Sequence, residues 1–156
     1  MVRASGRAGA SKFRPARVGI RRPPCQIGAV KTSFLLPAYN EEVLVGRAVE
    51  SIHRAAADCG LEDYEVIVCD NASTDRTGEV AEAAGARVVL EPHRQIARAR
   101  NAAAEASSGR WLVWLDADAV LTADVLRGTL EALASGGVCG GGARVQLEGA
   151  SLDAAA

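Results

Sequence analysis

From Thr32 onward the apolar and polar positions switch between two periods. Short, nearly all-apolar runs occupy residues 32–36 (TSFLL), 64–69 (YEVIVC), 87–90 (RVVL) and 111–115 (WLVWL), and their β-branched and aromatic content predicts strands. The first is stopped by Pro37. Between the runs the period lengthens to that of a helix. Val45, Val49, Ile52 and Ala56 share one face, with Asn40 as N-cap, Glu41 and Glu42 in the first turn and Gly60 as stop. Further helices are predicted over 75–84, capped by Thr74 and ended by Gly85, and over 94–107. A last one runs from the Thr122 cap to residue 134. A glycine-rich stretch then leads to a strand at 143–147.

Strands alternating with helices at this spacing predict an α/β protein with a mostly parallel, Rossmann-like sheet and helices on both faces. Runs without polar alternation fit strands buried on both sides. Residues 1–30 lack apolar periodicity and read as a disordered basic tail ending at Pro23-Pro24; a transit peptide or an early start reads equally well. Residues 149–156 read as a flexible tail, leaving 31–148 as the domain.

Charge sharpens this division. Residues 1–31 carry eight Arg or Lys and no acid, whereas the other 125 carry ten Arg and all nineteen acids, net −9. An acidic body argues against nucleic-acid binding. Cys25, Cys59, Cys69 and Cys139 form no CxxC pair and read as free, buried thiols of a reducing compartment. No apolar run reaches the length of a membrane span. A cytoplasmic protein is expected, with contact at a membrane periphery left open.

In an open α/β sheet ligands bind beyond the carboxyl ends of the strands, and polar groups collect there. Pro37-Ala38-Tyr39-Asn40-Glu41 follows the first strand, Asp70-Asn71-Ala72-Ser73-Thr74-Asp75 the second and Asp116-Ala117-Asp118 the fourth. Two carboxylates two residues apart suit a hard cation, Mg²⁺ or Mn²⁺, that keeps sites for phosphate oxygens. Asp70 would accept hydrogen bonds from a base or ribose while its neighbours make a turn. Arg94 and Arg98, four apart on one predicted helical face, would meet a diphosphate through guanidinium forks; Arg100 reads as part of a solvated basic face. His53 is assigned no role, and His93 reads as a loop histidine without a partner.

In order and spacing, LLPAYNEE (35–42), VIVCDNASTD (66–75), ARARNAAAEASSG (97–109) and WLVWLDAD (111–118) resemble family 2 glycosyltransferases of the GT-A fold. The resemblance covers about residues 32–147. It implies that Pro37 to Asn40 and Glu41 line a base and ribose pocket, that Asp70 faces the base, and that Arg98 approaches the nucleotide or diphosphate. It implies a DxD-type site at Asp116, Ala117 and Asp118, with Asp118 ahead of Asp116 as direct metal ligand. The implied reaction moves a sugar from a UDP- or GDP-sugar to an acceptor hydroxyl with inversion. Many relatives have a glycine-rich loop where this chain has Glu91-Pro92-His93-Arg94-Gln95-Ile96, which puts in question which arginine meets the donor.

Inversion needs a general base, which relatives carry well downstream of the DxD. About 38 residues follow Asp118 here, and none of Asp124, Glu131, Glu148 and Asp153 is assigned that role. The expectation is a donor-binding part without its acceptor half, able to self-associate through uncovered apolar surface. The alternatives are a catalytically incomplete binding module and a dinucleotide-binding oxidoreductase; the latter lacks GxGxxG after the first strand.

Overall fold

A computed structural model describes residues 31–144. The tails expected at 1–30 and 149–156 lie outside these residues, as does most of the strand expected at 143–147. Four strands, β1 (Thr32–Ala38), β2 (Tyr64–Asp70), β3 (Arg87–Leu90) and β4 (Trp111–Trp114), alternate with four helices, α1 (Val45–Cys59), α2 (Thr77–Ala83), α3 (Ile96–Ala106) and α4 (Ala123–Ala134). The strands form one sheet in the order β3-β2-β1-β4, and every pairing is parallel. Helices cover both faces. Phe34, Leu36, Val66 and Val68 pack beneath α1, α2 and α4, while Leu35, Ile67 and Cys69 pack against Ala99 and Ala103 of α3. The α/β expectation is met, with a wholly parallel sheet.

Only the two inner strands are buried as their sequences suggest. All seven residues of β1 are buried, whereas β4 alternates half-buried Trp111 and Val113 with Leu112 and Trp114, which are 42% and 40% exposed. In the described sheet β4 is an edge and its α3-side face is incompletely covered. β1 also runs two residues past Leu36. Pairing with β4 ends at Leu35, whose carbonyl accepts from Leu115 N–H at 3.1 Å. The next position on that side is Pro37, so its missing N–H falls where the ladder has stopped. On the other side Ala38 still accepts from Asn71 N–H at 2.9 Å.

Helix starts differ from the sequence expectation. Asn40 does not cap α1: it has φ 54° and its Oδ1 accepts from Thr74 N–H at 2.8 Å, while α1 begins at Val45 without a side-chain cap. Nor does Thr74 cap α2; Asp75 Oδ1 accepts from Thr77 N–H at 2.9 Å instead. Asn40 and Thr74 have bonded to each other's loops rather than each to its own helix. Gly60 in αL and the Thr122 cap on Val125 N–H are as expected. Cys69 is buried, but Cys59 is half-buried and Cys139 exposed, so the thiols do not share one environment. No described helix is long and apolar enough to cross a membrane.

Candidate functional site

Beyond the carboxyl ends of β1, β2 and β4 lies a cleft of about 300 Å³. Pro37, Ala38, Tyr39 and Glu41 form one wall, Asn71 and Ile96 another, and Asp116, Ala117 and Asp118 a third. Segments as much as 80 residues apart in the chain thus meet on one rim of the sheet.

The β1–α1 and β2–α2 loops are fastened together. Asn40 N–H donates to Ser73 Oγ at 3.1 Å, Glu42 N–H to Asp75 Oδ2 at 3.2 Å, and Arg76 N–H to Glu42 Oε2 at 3.1 Å. Thr77 Oγ1 donates to Asp75 and accepts from Glu41 N–H at 2.7 Å. Ala72, like Asn40, has positive φ (60°), a conformation costly for a residue with a Cβ and held here by its bonded neighbours. This lattice fixes Glu41 at the cleft. Burial raises the Glu41 carboxyl above its ordinary range, and the charges of Asp118 and Asp75 raise it further. The cleft therefore concentrates negative charge, which a bound cation would relieve.

Asp116 and Asp118 flank a turn closed by Ala119 N–H on the Asp116 carbonyl at 3.0 Å. Both side chains are exposed at the cleft, and Ala117 between them is buried. No group of three or more His, Cys, Asp or Glu side chains that could hold a metal occurs among the described residues. Two carboxylate groups with open positions suit a hard cation that takes its other oxygens from substrate and water.

Asp70 and the arginines have partners within the fold. Asp70 Oδ1 accepts from Ser73 N–H at 2.9 Å, and a Cβ at Gly78 would lie 3.3 Å from Oδ2. Asp70 thus supports the turn, and its neighbour Asn71 lines the cleft. Arg94 precedes α3 and does not share a helical face with Arg98. It stacks on Tyr39, with Cζ 4.4 Å from the ring centroid, and donates from Nη1 to the Tyr39 hydroxyl at 2.8 Å. Arg98 pairs with Glu91 at 3.3 Å. Arg100, read from the sequence as merely solvated, reaches Asp116 Oδ1 at 3.6 Å and lies 5.7 Å from the Trp114 ring centroid.

Asn71, Ile96 and Arg100 are thus site residues the sequence reading missed. A signal was present: Ile96 and Arg100 stand four apart, on one face of a helix that starts beside the cleft. The histidines have partners too. His93 Nδ1 lies 3.0 Å from Glu91 Oε1, and half-buried His53 Nδ1 lies 2.8 Å from the Tyr64 hydroxyl. Asp124 is on α4, paired with Arg127 at 3.0 Å, and Glu131 is exposed on the same helix. Neither lines the cleft.

Known proteins resemble this chain in sequence and fold. The succinoglycan biosynthesis protein ExoO of Rhizobium meliloti is 36% identical over 70% of this chain and 31% of its own length. Glucosyl-3-phosphoglycerate synthase of Mycobacterium tuberculosis superposes with a TM-score of 0.60 at 29% identity, covering 74% of this chain and 47% of that one. The mannosyltransferase PcManGT of Pyrobaculum calidifontis, solved with GDP-Man and Mn²⁺, superposes with a TM-score of 0.59 at 28% identity, covering 66% and 32%. The chain spans about a third of the length of the curated relatives it matches. A model of glycosyl transferase family 2 matches residues 33–152, and the chain belongs to that family.

Proposed function

We propose that the cleft binds a nucleotide-diphosphate sugar, with UDP or GDP as its nucleotide part, together with Mg²⁺ or Mn²⁺, as the donor site of an inverting glycosyltransferase. The observation that carries this reading is the convergence of Tyr39, Glu41, Asn71, Ile96, Asp116 and Asp118 on one cleft at the carboxyl edge of a parallel sheet. Its two ends differ in chemistry. The Tyr39 ring and Ile96 offer flat and apolar surface suited to a base, whereas Asp116 and Asp118 offer the hard oxygens a divalent cation requires. Support also comes from PcManGT, whose structure holds GDP-Man and Mn²⁺.

Asp118, then Asp116, would hold the cation, which when bound would neutralise charge on a departing diphosphate. Arg100 lies beside Asp116 and is placed to exchange that carboxylate for a phosphate oxygen once the carboxylate turns to a metal. The described residues place no carboxylate other than these and Glu41 in the cleft, so the acceptor and the base that deprotonates it belong to chemistry outside this rim. A donor-binding module without transfer is the second reading, favoured by the positions of Asp124 and Glu131 on α4, away from the cleft.

The test is calorimetric titration with UDP and with GDP, with and without Mn²⁺, on the wild type and on Asp118→Ala. The proposal expects manganese-dependent binding of at least one nucleotide, weakened roughly tenfold or more by the substitution. No binding by the wild type would remove the donor site. Equal, metal-independent binding by both forms would remove the metal role.

A further inference from the structure

Strand β4 is open in both backbone and side chain. Leu115 N–H donates to the Leu35 carbonyl at 3.1 Å and Trp111 N–H to the Lys31 carbonyl at 3.4 Å. Along a strand the N–H and carbonyl groups of successive residues point to alternate sides. Trp111, Val113 and Leu115 therefore face β1. Leu112 and Trp114 turn their backbone groups outward, where no described strand meets them. The same two residues have exposed side chains, because α3 packs over β1, β2 and β3 and leaves that face of β4 open. Such edges are ordinarily blunted by a charge, a proline or a bulge, and the run WLVWL holds no charge and no proline. Charge lies only at its two ends, with Arg110 before the strand and Asp116 after it, both exposed.

We propose that β4 is an interface for a second copy of this chain, the two strands pairing antiparallel about a two-fold axis at Val113. Opposite charges at the two ends of the run carry the choice of partner. In this register Leu112 of each copy stands opposite Trp114 of the other, and Arg110 opposite Asp116. Leu112 and Trp114 are the residues with outward backbone groups, so each such pair exchanges two hydrogen bonds. Their side chains meet as aliphatic-aromatic pairs on the face that α3 leaves open. A parallel mate in register would instead set like charges side by side at both ends. Arg100 of the same copy already lies 3.6 Å from Asp116. The Arg110 pair is therefore a rim contact that sets register, while Leu112 and Trp114 supply the affinity. The contact is isologous and closes, since each copy spends its β4 edge on the other.

Two measurements on the full chain test this. Sedimentation equilibrium gives the monomer–dimer constant of the wild type and of Leu112→Lys, which sets a charge in the middle of the exposed edge. Mild oxidation of Val113→Cys reads the register without adding a charge, because residues facing each other across the axis have Cα atoms about 4.5 Å apart, within disulfide reach. The expected results are a wild-type dimer, weakened roughly tenfold or more in Leu112→Lys, and a disulfide joining the two substituted positions, identified by peptide mass spectrometry. A wild type that stays monomeric, its β4 edge covered by residues 145–156 or by nothing, would overturn the proposal. So would a dimer equally tight in the wild type and Leu112→Lys, or an oxidised Val113→Cys that forms no such disulfide.

Discussion

Glu65 shows how a single residue holds the frame under the site. It sits near the start of β2 and accepts from Ser33 Oγ at 2.7 Å, Ser108 N–H at 2.7 Å and Ser108 Oγ at 2.8 Å, with Arg87 at 3.4 Å and Lys31 at 3.8 Å. It thereby ties β1, β2, β3 and the α3–β4 connection together at the end of the sheet opposite the cleft. Burial alone would raise its carboxyl, but the bonds from Ser33 and Ser108 and the Lys31 charge prevail and lower it to about 2. A carboxylate held below its unfolded value stabilises the fold above that value and loses the contribution as it is protonated. Glu65→Gln should therefore destabilise the protein by about 1–3 kcal/mol at pH 7. In urea melts the gap between the two forms should close as the pH falls from 4.5 towards 2. A gap independent of pH would mean that the charge plays no part.

This residue is also a measure of what the sequence makes legible. The closeness of Asp116 and Asp118 can be read from two letters because both belong to one turn. Glu65 cannot, because its partners at Ser33 and Ser108 are remote in the chain. The same reason hid Arg100, whose significance lies in a contact with Asp116, and it misplaced Asn40 and Thr74, which looked like helix caps until their loops met.

At the scale of elements, apolar runs located all four strands, and β3 at its observed bounds, since strand burial is a local property of the run. Helix interiors were equally legible: Val45, Val49, Ile52 and Ala56 are all buried. Connections were not. Gly109 lies where α3 turns into β4. Its N–H donates to Ser33 Oγ at 2.8 Å, and a Cβ there would fall 2.6 Å from Ser33 N and collide with the Ser33 hydroxyl. Gly109→Ala should cost about 1–3 kcal/mol through overpacking against a β1 backbone that has no room to retreat. Chemical denaturation would show this as a lower midpoint at unchanged slope; an unchanged midpoint would mean that the α3–β4 connection is free to move.

At the scale of the whole molecule, the fold brings polar tips from four stretches of chain to one edge of a parallel sheet. The α/β class and the parallel sheet were legible because alternating strands and helices admit few arrangements; the strand order was not read from the sequence. Nor was the uneven burial of the sheet. The run WLVWL looks like an inner strand, yet β4 is an edge of the described sheet with Leu112 and Trp114 exposed. The opposite arrangement holds at the cleft, where Glu41, Asp116 and Asp118 crowd like charges that Arg100, paired with Asp116, offsets only in part. A bound divalent cation would balance them and hold the anionic diphosphate as well. The most direct measurement is anomalous diffraction at the manganese edge from crystals of the chain grown with Mn²⁺ and UDP or GDP. The account predicts one manganese peak coordinated by Asp118 and by diphosphate oxygens, with the base lying against Tyr39. A nucleotide bound elsewhere, or manganese held away from the Asp116–Asp118 turn, would contradict it.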